Sequence, residues 1–431
     1  MSVQPFKIDV AQDVLDDLQK RLKRTRWPDQ VEGAEWSYGT NLDYMKDLIG
    51  YWQNGFDWRK QEAELNRFAH FTAEIDGLNI HFIHQRGMGP NPTPLLLLHG
   101  WPDSFYRYSK LIPMLTDPAS YGGDAADSFD VIVPSLPGFG FSDRPTQRGG
   151  ADMVGILIKL MTDVLGYERF GVHGGDTGSP LTKQIAQQRP DLVSAIHLSD
   201  IGYDVVYALD RSSLSEAEQK YVQAYEQWSY AEGAYVMIHG TKPQSLAYAL
   251  TDSPAGLAGW IIEHFQKWSD NTGNPDQSFS KDELLTNLMI YWATETINSS
   301  MRLYYEGMNA SWDDSGNGEW GEESSSGNTD WSTGGEEASA ETGAESGEWG
   351  RSEGDSSGWG APVDPSTGVP AGVALFPRDI PLDNPPPREL GERLLNIKRW
   401  TVMSRGGHFA ALEAPDLLTE DIRAFFRDYR G

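Results

Sequence analysis

"GVHGGDTGSP" (171–180) places Gly174, Gly175, Asp176, Thr177 and Gly178 at the spacing G-x-Nu-x-G. That is the spacing of a nucleophile elbow, a sharp strand-to-helix turn that needs small residues on both sides of the attacking group. Here the attacking position holds an aspartate. An aspartate could instead cap the following helix, but a cap does not require a glycine on each side. The residue type narrows the chemistry. A carboxylate attacking an ester carbonyl yields an anhydride, itself a reactive acyl group. The same carboxylate attacking a saturated carbon that bears a leaving oxygen or halogen yields an alkyl ester. Asp176 therefore points to alkyl transfer onto the enzyme followed by hydrolysis. Ser142 and Ser179 lie off the turn apex, which argues against a serine esterase.

Hydrolysing such an ester needs a base and a place for the developing oxyanion. Among nine histidines, His408 in "SRGGHFAALEAPDLL" follows the last strand-like run and two glycines, in the chain order nucleophile, acid, histidine. Its carboxylate partner is expected just past "GVALFP", where Asp379 and Asp383 compete; that carboxylate would orient the imidazole. Backbone N–H groups of Trp101, in the loop after "LLLLHG", and of Thr177 supply the oxyanion hole. Pro102 after Trp101 allows a cis peptide there. An alkoxide leaves poorly at neutral pH, so ring opening also needs an acid, and a tyrosine phenol suits that task. The segment 201–307 offers ten tyrosines, among which composition does not choose.

These residues have to be positioned by something. "FTAEIDGLNIHFIH" (71–84) reads as a hairpin around Asp76-Gly77. "PLLLLHG", "FDVIVPSL", "RFGVHGGD" and "SAIHLSD" read as buried strands separated by helical stretches such as 153–166 and 181–193, the alternation of an α/β protein with a parallel sheet. From 201 to 307 the alternation gives way to helical, aromatic-rich segments. Strand-like "GVALFP" and "KRWTVMSRGG" and a closing helix (416–429) then resume the pattern. The expected organisation is an N-terminal arm and first hairpin (1–90), a first core segment (91–200), a helical lid (201–307), an acidic Gly/Ser/Trp insertion expected to be disordered (308–361), and a second core segment (362–431).

The net charge of −28 over 431 residues argues against nucleic acid and anionic membranes. Much of it is local, since residues 309–360 hold 13 Asp/Glu against the single Arg351. The basic residues Lys20, Arg21, Lys23, Arg24 and Arg26 close an amphipathic helix and suit its dipole. There is no cysteine, which removes disulfides and thiolate chemistry. No apolar run is long enough for a transmembrane helix or signal peptide, so a soluble, cytoplasmic protein without a membrane anchor is expected.

Taken with "HGWPDSFYRY", "PSLPGFGFSDRP", "GGDTGSP", "TKPQSLAYALTDSPAGLAGWIIEHFQKWSD", "SSMRLYYEG", "VPAGVALFPRD" and "RGGHFAALEAPDLL", the chain resembles epoxide hydrolases of the microsomal/juvenile-hormone type. "LQKRLKRTRWPD" is similar to that family's N-terminal arm. The resemblance covers nearly everything outside 309–360. It implies an α/β-hydrolase fold with a mostly parallel eight-stranded sheet, an inserted lid and an arm. It also implies cofactor-free and metal-free hydrolysis of an apolar or aryl epoxide by water, and leaves room for a homodimer. It favours Asp379 over Asp383 and assigns the lid tyrosines to Tyr235 and Tyr304, with Tyr305 as the other register. Thr177 departs from the family, which often has a bulky apolar or aromatic residue there. Two other readings compete. One is a haloalkane-type dehalogenase with the same nucleophile; it expects a halide donor such as Trp where Thr177 stands. The other is a non-catalytic binding protein on this fold.

Overall fold

Apolar runs of five or six residues become the parallel heart of one sheet. The computed structural model describes residues 2–202, 206, 209–313, 368–379 and 385–430. The strands are β1 (Val3–Pro5), β2 (His70–Ile75), β3 (Leu78–Gln85), β4 (Thr93–Leu98), β5 (Phe129–Pro134), β6 (Phe170–Gly174), β7 (Val193–Leu198), β8 (Pro370–Leu375) and β9 (Asn396–Val402). Their order is β1-β2-β3-β5-β4-β6-β7-β8-β9. β1, β2, β3 and β5 pair antiparallel, and every pairing from β5 through β4 to β9 is parallel. Side chains of β4 to β7 are buried almost without interruption, as strands covered by helices on both faces must be. Asp76 and Gly77 both take positive φ (51° and 79°), forming the tight hairpin turn between β2 and β3.

The sheet has one strand more than expected. Val3–Pro5 adds to the edge at β2, with Val3 opposite Ala73. Three residues carry no legible period, and the pairing depends on a partner seventy residues away.

After β7 the chain builds a helical layer above the parallel strand ends. Its helices are Glu216–Glu232, Ala234–Thr241, Pro243–Asp252, Pro254–Lys267, Lys281–Thr294 and Ile297–Asp313. Capping boxes at Ser215/Glu218 and Ser280/Glu283 start two of them. The segment anticipated as an acidic insertion from 308 begins inside the last helix, which runs to Asp313; 314–367, along with Tyr203, Tyr207 and Asp383, lie outside the described residues.

The N-terminal residues form helices Gln12–Lys23, Leu42–Asn54 and Trp58–Leu65. Leu18, Leu22, Leu48, Ile49 and Trp52 are buried at helical spacing. The outer side of this arm bonds the helical layer: Arg21 to Asp252 (2.6 Å), Thr40 Oγ1 to Gly259 O (2.5 Å), Tyr44 Oη to Asp276 (2.7 Å) and Tyr51 Oη to Asp282 (2.8 Å). Among the described residues, no helix is long and apolar enough to cross a membrane.

Candidate active site

All the residues singled out for chemistry on the sheet sit beyond the carboxyl ends of parallel strands: Trp101 after β4, Asp176 after β6, Asp379 after β8 and His408 after β9. This is where open α/β sheets place their ligand sites.

Asp176 turns the chain between β6 and the helix Gly178–Gln188 with φ at +57°, a conformation that costs a non-glycine residue roughly 1–3 kcal/mol. The flanking glycines make the turn fit. A Cβ on Gly178 would meet Leu98 O at 2.1 Å, and one on Gly174 would meet Gly178 O at 2.2 Å. Asp176 is not a helix cap: Thr177 holds the N-cap position, without a side-chain capping bond.

The two oxygens of Asp176 are treated differently. Oδ1 accepts the Trp101 N–H at 2.8 Å and the Thr177 N–H at 2.6 Å. Oδ2 lies 3.3 Å from His408 Nε2. His408 Nδ1 in turn lies 2.8 Å from Asp379 Oδ1. Burial alone would hold the imidazole neutral. The carboxylates on its two nitrogens outweigh that and push its pKa up to about 10. Burial would raise Asp176, but His408 and the two backbone donors bring it below the ordinary carboxylate value. The resting site is thus a carboxylate–imidazolium–carboxylate row. A parallel bridge between Arg378 and Gly407 keeps the loops bearing Asp379 and His408 side by side. The Trp101–Pro102 peptide is cis.

A cavity of about 720 Å³ opens above Asp176 and His408 and is roofed by the helical layer. Tyr235, from Ala234–Thr241, and Tyr304, from Ile297–Asp313, both line it, with ring centroids 6.1 Å apart. Burial, reinforced by neighbouring tyrosine and the Asp176 charge, raises both phenols well above their ordinary pKa, so both keep their protons. Tyr305 is 38% exposed and outside the lining. Among the other tyrosines, Tyr291 is buried and donates to Asp103 O at 2.7 Å, whereas Tyr248 is exposed.

Several supporting residues carry no sequence signal. Asp200, just past β7, accepts the Asp176 N–H at 2.9 Å and the Gly202 N–H at 2.7 Å; burial, and then the nearby Asp379 charge, push it up to about 6. Arg107 is buried, pairs with Asp103 at 2.5 Å and donates to the carbonyl of His408, fixing that residue's backbone. Trp268 O accepts the His408 N–H at 2.8 Å, tying the helical layer to the histidine loop. Around Trp101, Tyr235 stacks at 5.4 Å, and His239 and His264 present edges at 4.6 and 4.9 Å. Burial lowers these histidines to about 3 and about 4, so they are neutral packing groups.

The sheet order and the turn after β6 define an α/β-hydrolase, and residues 93–235 match the alpha/beta hydrolase fold family. Residues 3–108 match the family described as the epoxide hydrolase N terminus. A putative epoxide hydrolase of Stigmatella aurantiaca is 38% identical over 433 residues, covering 100% of this chain and 86% of that protein. Epoxide hydrolase 1 of Sus scrofa is 34% identical, covering 98% and 88%. The crystal structure of juvenile hormone epoxide hydrolase from the silkworm Bombyx mori superposes with a TM-score of 0.75 at 27% identity, covering 100% of this chain and 94% of that one. The chain belongs to the epoxide hydrolase family.

Proposed function

We propose that this enzyme converts an apolar or aryl epoxide to a vicinal diol in two steps, through an ester on Asp176. The observation that carries the reading is the division of labour in that carboxylate. Oδ1 is occupied by two N–H donors, which leaves Oδ2, beside the cavity and His408, as the attacking atom. Attack on a ring carbon breaks its bond to the ring oxygen, and Tyr235 or Tyr304 gives that oxygen a proton. The ester formed on Oδ2 is neutral, so His408 loses one of the two charges that kept it protonated. Its pKa falls, and the proton it releases restores the tyrosine.

Neutral His408 then takes a proton from water, held in orientation by Asp379. The water oxygen attacks Cγ of Asp176, and the negative charge develops on Oδ1, where the Trp101 and Thr177 N–H groups already point. Collapse releases the diol and regenerates the carboxylate and the imidazolium. Protons balance over the cycle, and the donors that hold Oδ1 at rest are the ones that stabilise the oxyanion. An Asp nucleophile would also serve dehalogenation, but a halide leaves without a proton, and the two protonated phenols on the cavity wall suit a leaving alkoxide.

Single turnover in heavy-oxygen water tests the reading. The new oxygen of the first diol comes from Asp176 Oδ2, so that diol is unlabelled and the label enters Asp176. A His408→Gln variant should accumulate the ester, visible as an adduct on the peptide containing Asp176. Label in the first diol, with no adduct on that peptide, would sink the mechanism.

A further inference from the structure

Thr177 lends its backbone N–H to Asp176, which leaves its side chain unexplained. The residue is 5% exposed and lines the cavity next to the nucleophile. Among the described residues its hydroxyl forms no hydrogen bond, although its main-chain N–H and C=O are both engaged. A hydroxyl on a cavity wall takes its partner from whatever fills the cavity, because leaving it unpaired is disfavoured. Keeping one on the wall of a chamber otherwise rich in Trp, Tyr and Met fits a ligand that brings the partner with it.

Geometry limits which substrate atom that partner is. Asp176 and Thr177 are consecutive, and both face the cavity. A nucleophile waits about 3–3.5 Å from the carbon it attacks, and a hydroxyl bonds oxygen at about 2.7–2.8 Å. An oxygen within reach of Thr177 therefore sits two or three bonds from the attacked carbon. It is not the ring oxygen, which belongs to the tyrosines on the opposite, lid side.

We propose that Thr177 selects epoxides that carry an ether, hydroxyl or carbonyl oxygen on the carbon beside the ring, donating its O–H to that oxygen. The apolar remainder of such a substrate lies against Trp228, Trp268 and Tyr225. The proposal rests on the alkyl-ester reading above and narrows its substrate class.

Phenyl glycidyl ether and 4-phenyl-1,2-epoxybutane differ only in having an oxygen or a methylene at this position. The readout is the ratio of their kcat/KM values, which cancels changes common to both substrates. In Thr177→Val, which keeps the shape and removes the hydroxyl, the ratio should fall roughly 3- to 10-fold in disfavour of the ether. Thr177→Ser should restore it. An unchanged ratio in Thr177→Val, or no restoration in Thr177→Ser, overturns the proposal even while the ester still forms on Asp176. If the wild-type enzyme makes neither diol nor ester from either compound, the alkyl-ester reading itself fails and this proposal falls with it.

Discussion

A Cβ on Gly100 would lie 2.0 Å from Oδ1 of Asp176. The Asp176 carboxylate is pressed against the backbone of the loop that also supplies the Trp101 donor, so the two must move together. Gly100→Ala should therefore displace the carboxylate while leaving the sheet intact. Epoxide turnover should fall a hundredfold or more, in line with the roughly 100-fold cost of an ångström of misplacement. Stopped-flow kinetics, with circular dichroism to confirm folding, checks this; a near-normal rate would show that Oδ1 need not be held there.

Tyr235→Phe and Tyr304→Phe should each slow ester formation about 100-fold or more, within the usual range for a general acid. The double variant should lose less than the product of the two single losses if, as proposed, the residues share one proton donation. Trp101 stacks on Tyr235, so quenching of tryptophan fluorescence on alkylation offers the signal. Tyr305→Phe, at an exposed position, should alter neither step.

The two chemical steps should respond differently to pH. In the proposed mechanism alkylation uses the resting enzyme, in which His408 stays protonated up to about pH 10. Its rate should be flat through neutrality and decline only near that value. Hydrolysis uses the alkylated enzyme, where the lost Asp176 charge lowers the histidine's pKa. Its rate should rise with pH along a limb centred below 10. Coincident profiles for the two steps would contradict the role given to His408.

The same imidazole links stability to pH. Its folded pKa of about 10 exceeds the unfolded value of about 6.5. The stabilisation from its ion pairs is therefore complete below about pH 6.5 and is lost as pH rises toward 10. Thermal unfolding of the wild type should drop by several degrees over that window. His408→Gln, whatever its starting Tm, should show a shallower decline over the same range.

What the sequence disclosed follows a physical divide. Asp176 and His408 are legible because a crowded turn leaves glycines at fixed offsets, and the strands because covered strands are continuously apolar. Tyr304 against Tyr305 is a choice of helix face, which composition does not make and only family resemblance favours; the structure puts Tyr304, not Tyr305, on the cavity wall. Asp200 and Arg107 were invisible for another reason. An Asp after a strand and an Arg in a loop are ordinary residues until the fold sets one under the Asp176 amide and the other on a carbonyl 301 positions away. His239 and His264 likewise gain meaning only from the indole they surround.

The bonds from the arm to the helical layer bear on how such enzymes can be recombined. Asp252, Asp276 and Asp282 each meet a partner from the first 51 residues, spread over three separate stretches of the roof. A chimera that imports the helical layer without its own arm would leave Asp252 and Asp282 without the donors the arm supplies and Asp276 with Lys281 alone, loosening helices that pack beside those lining the cavity. Arm and roof are a single heritable part, and swapping substrate preference by modular exchange means carrying both across.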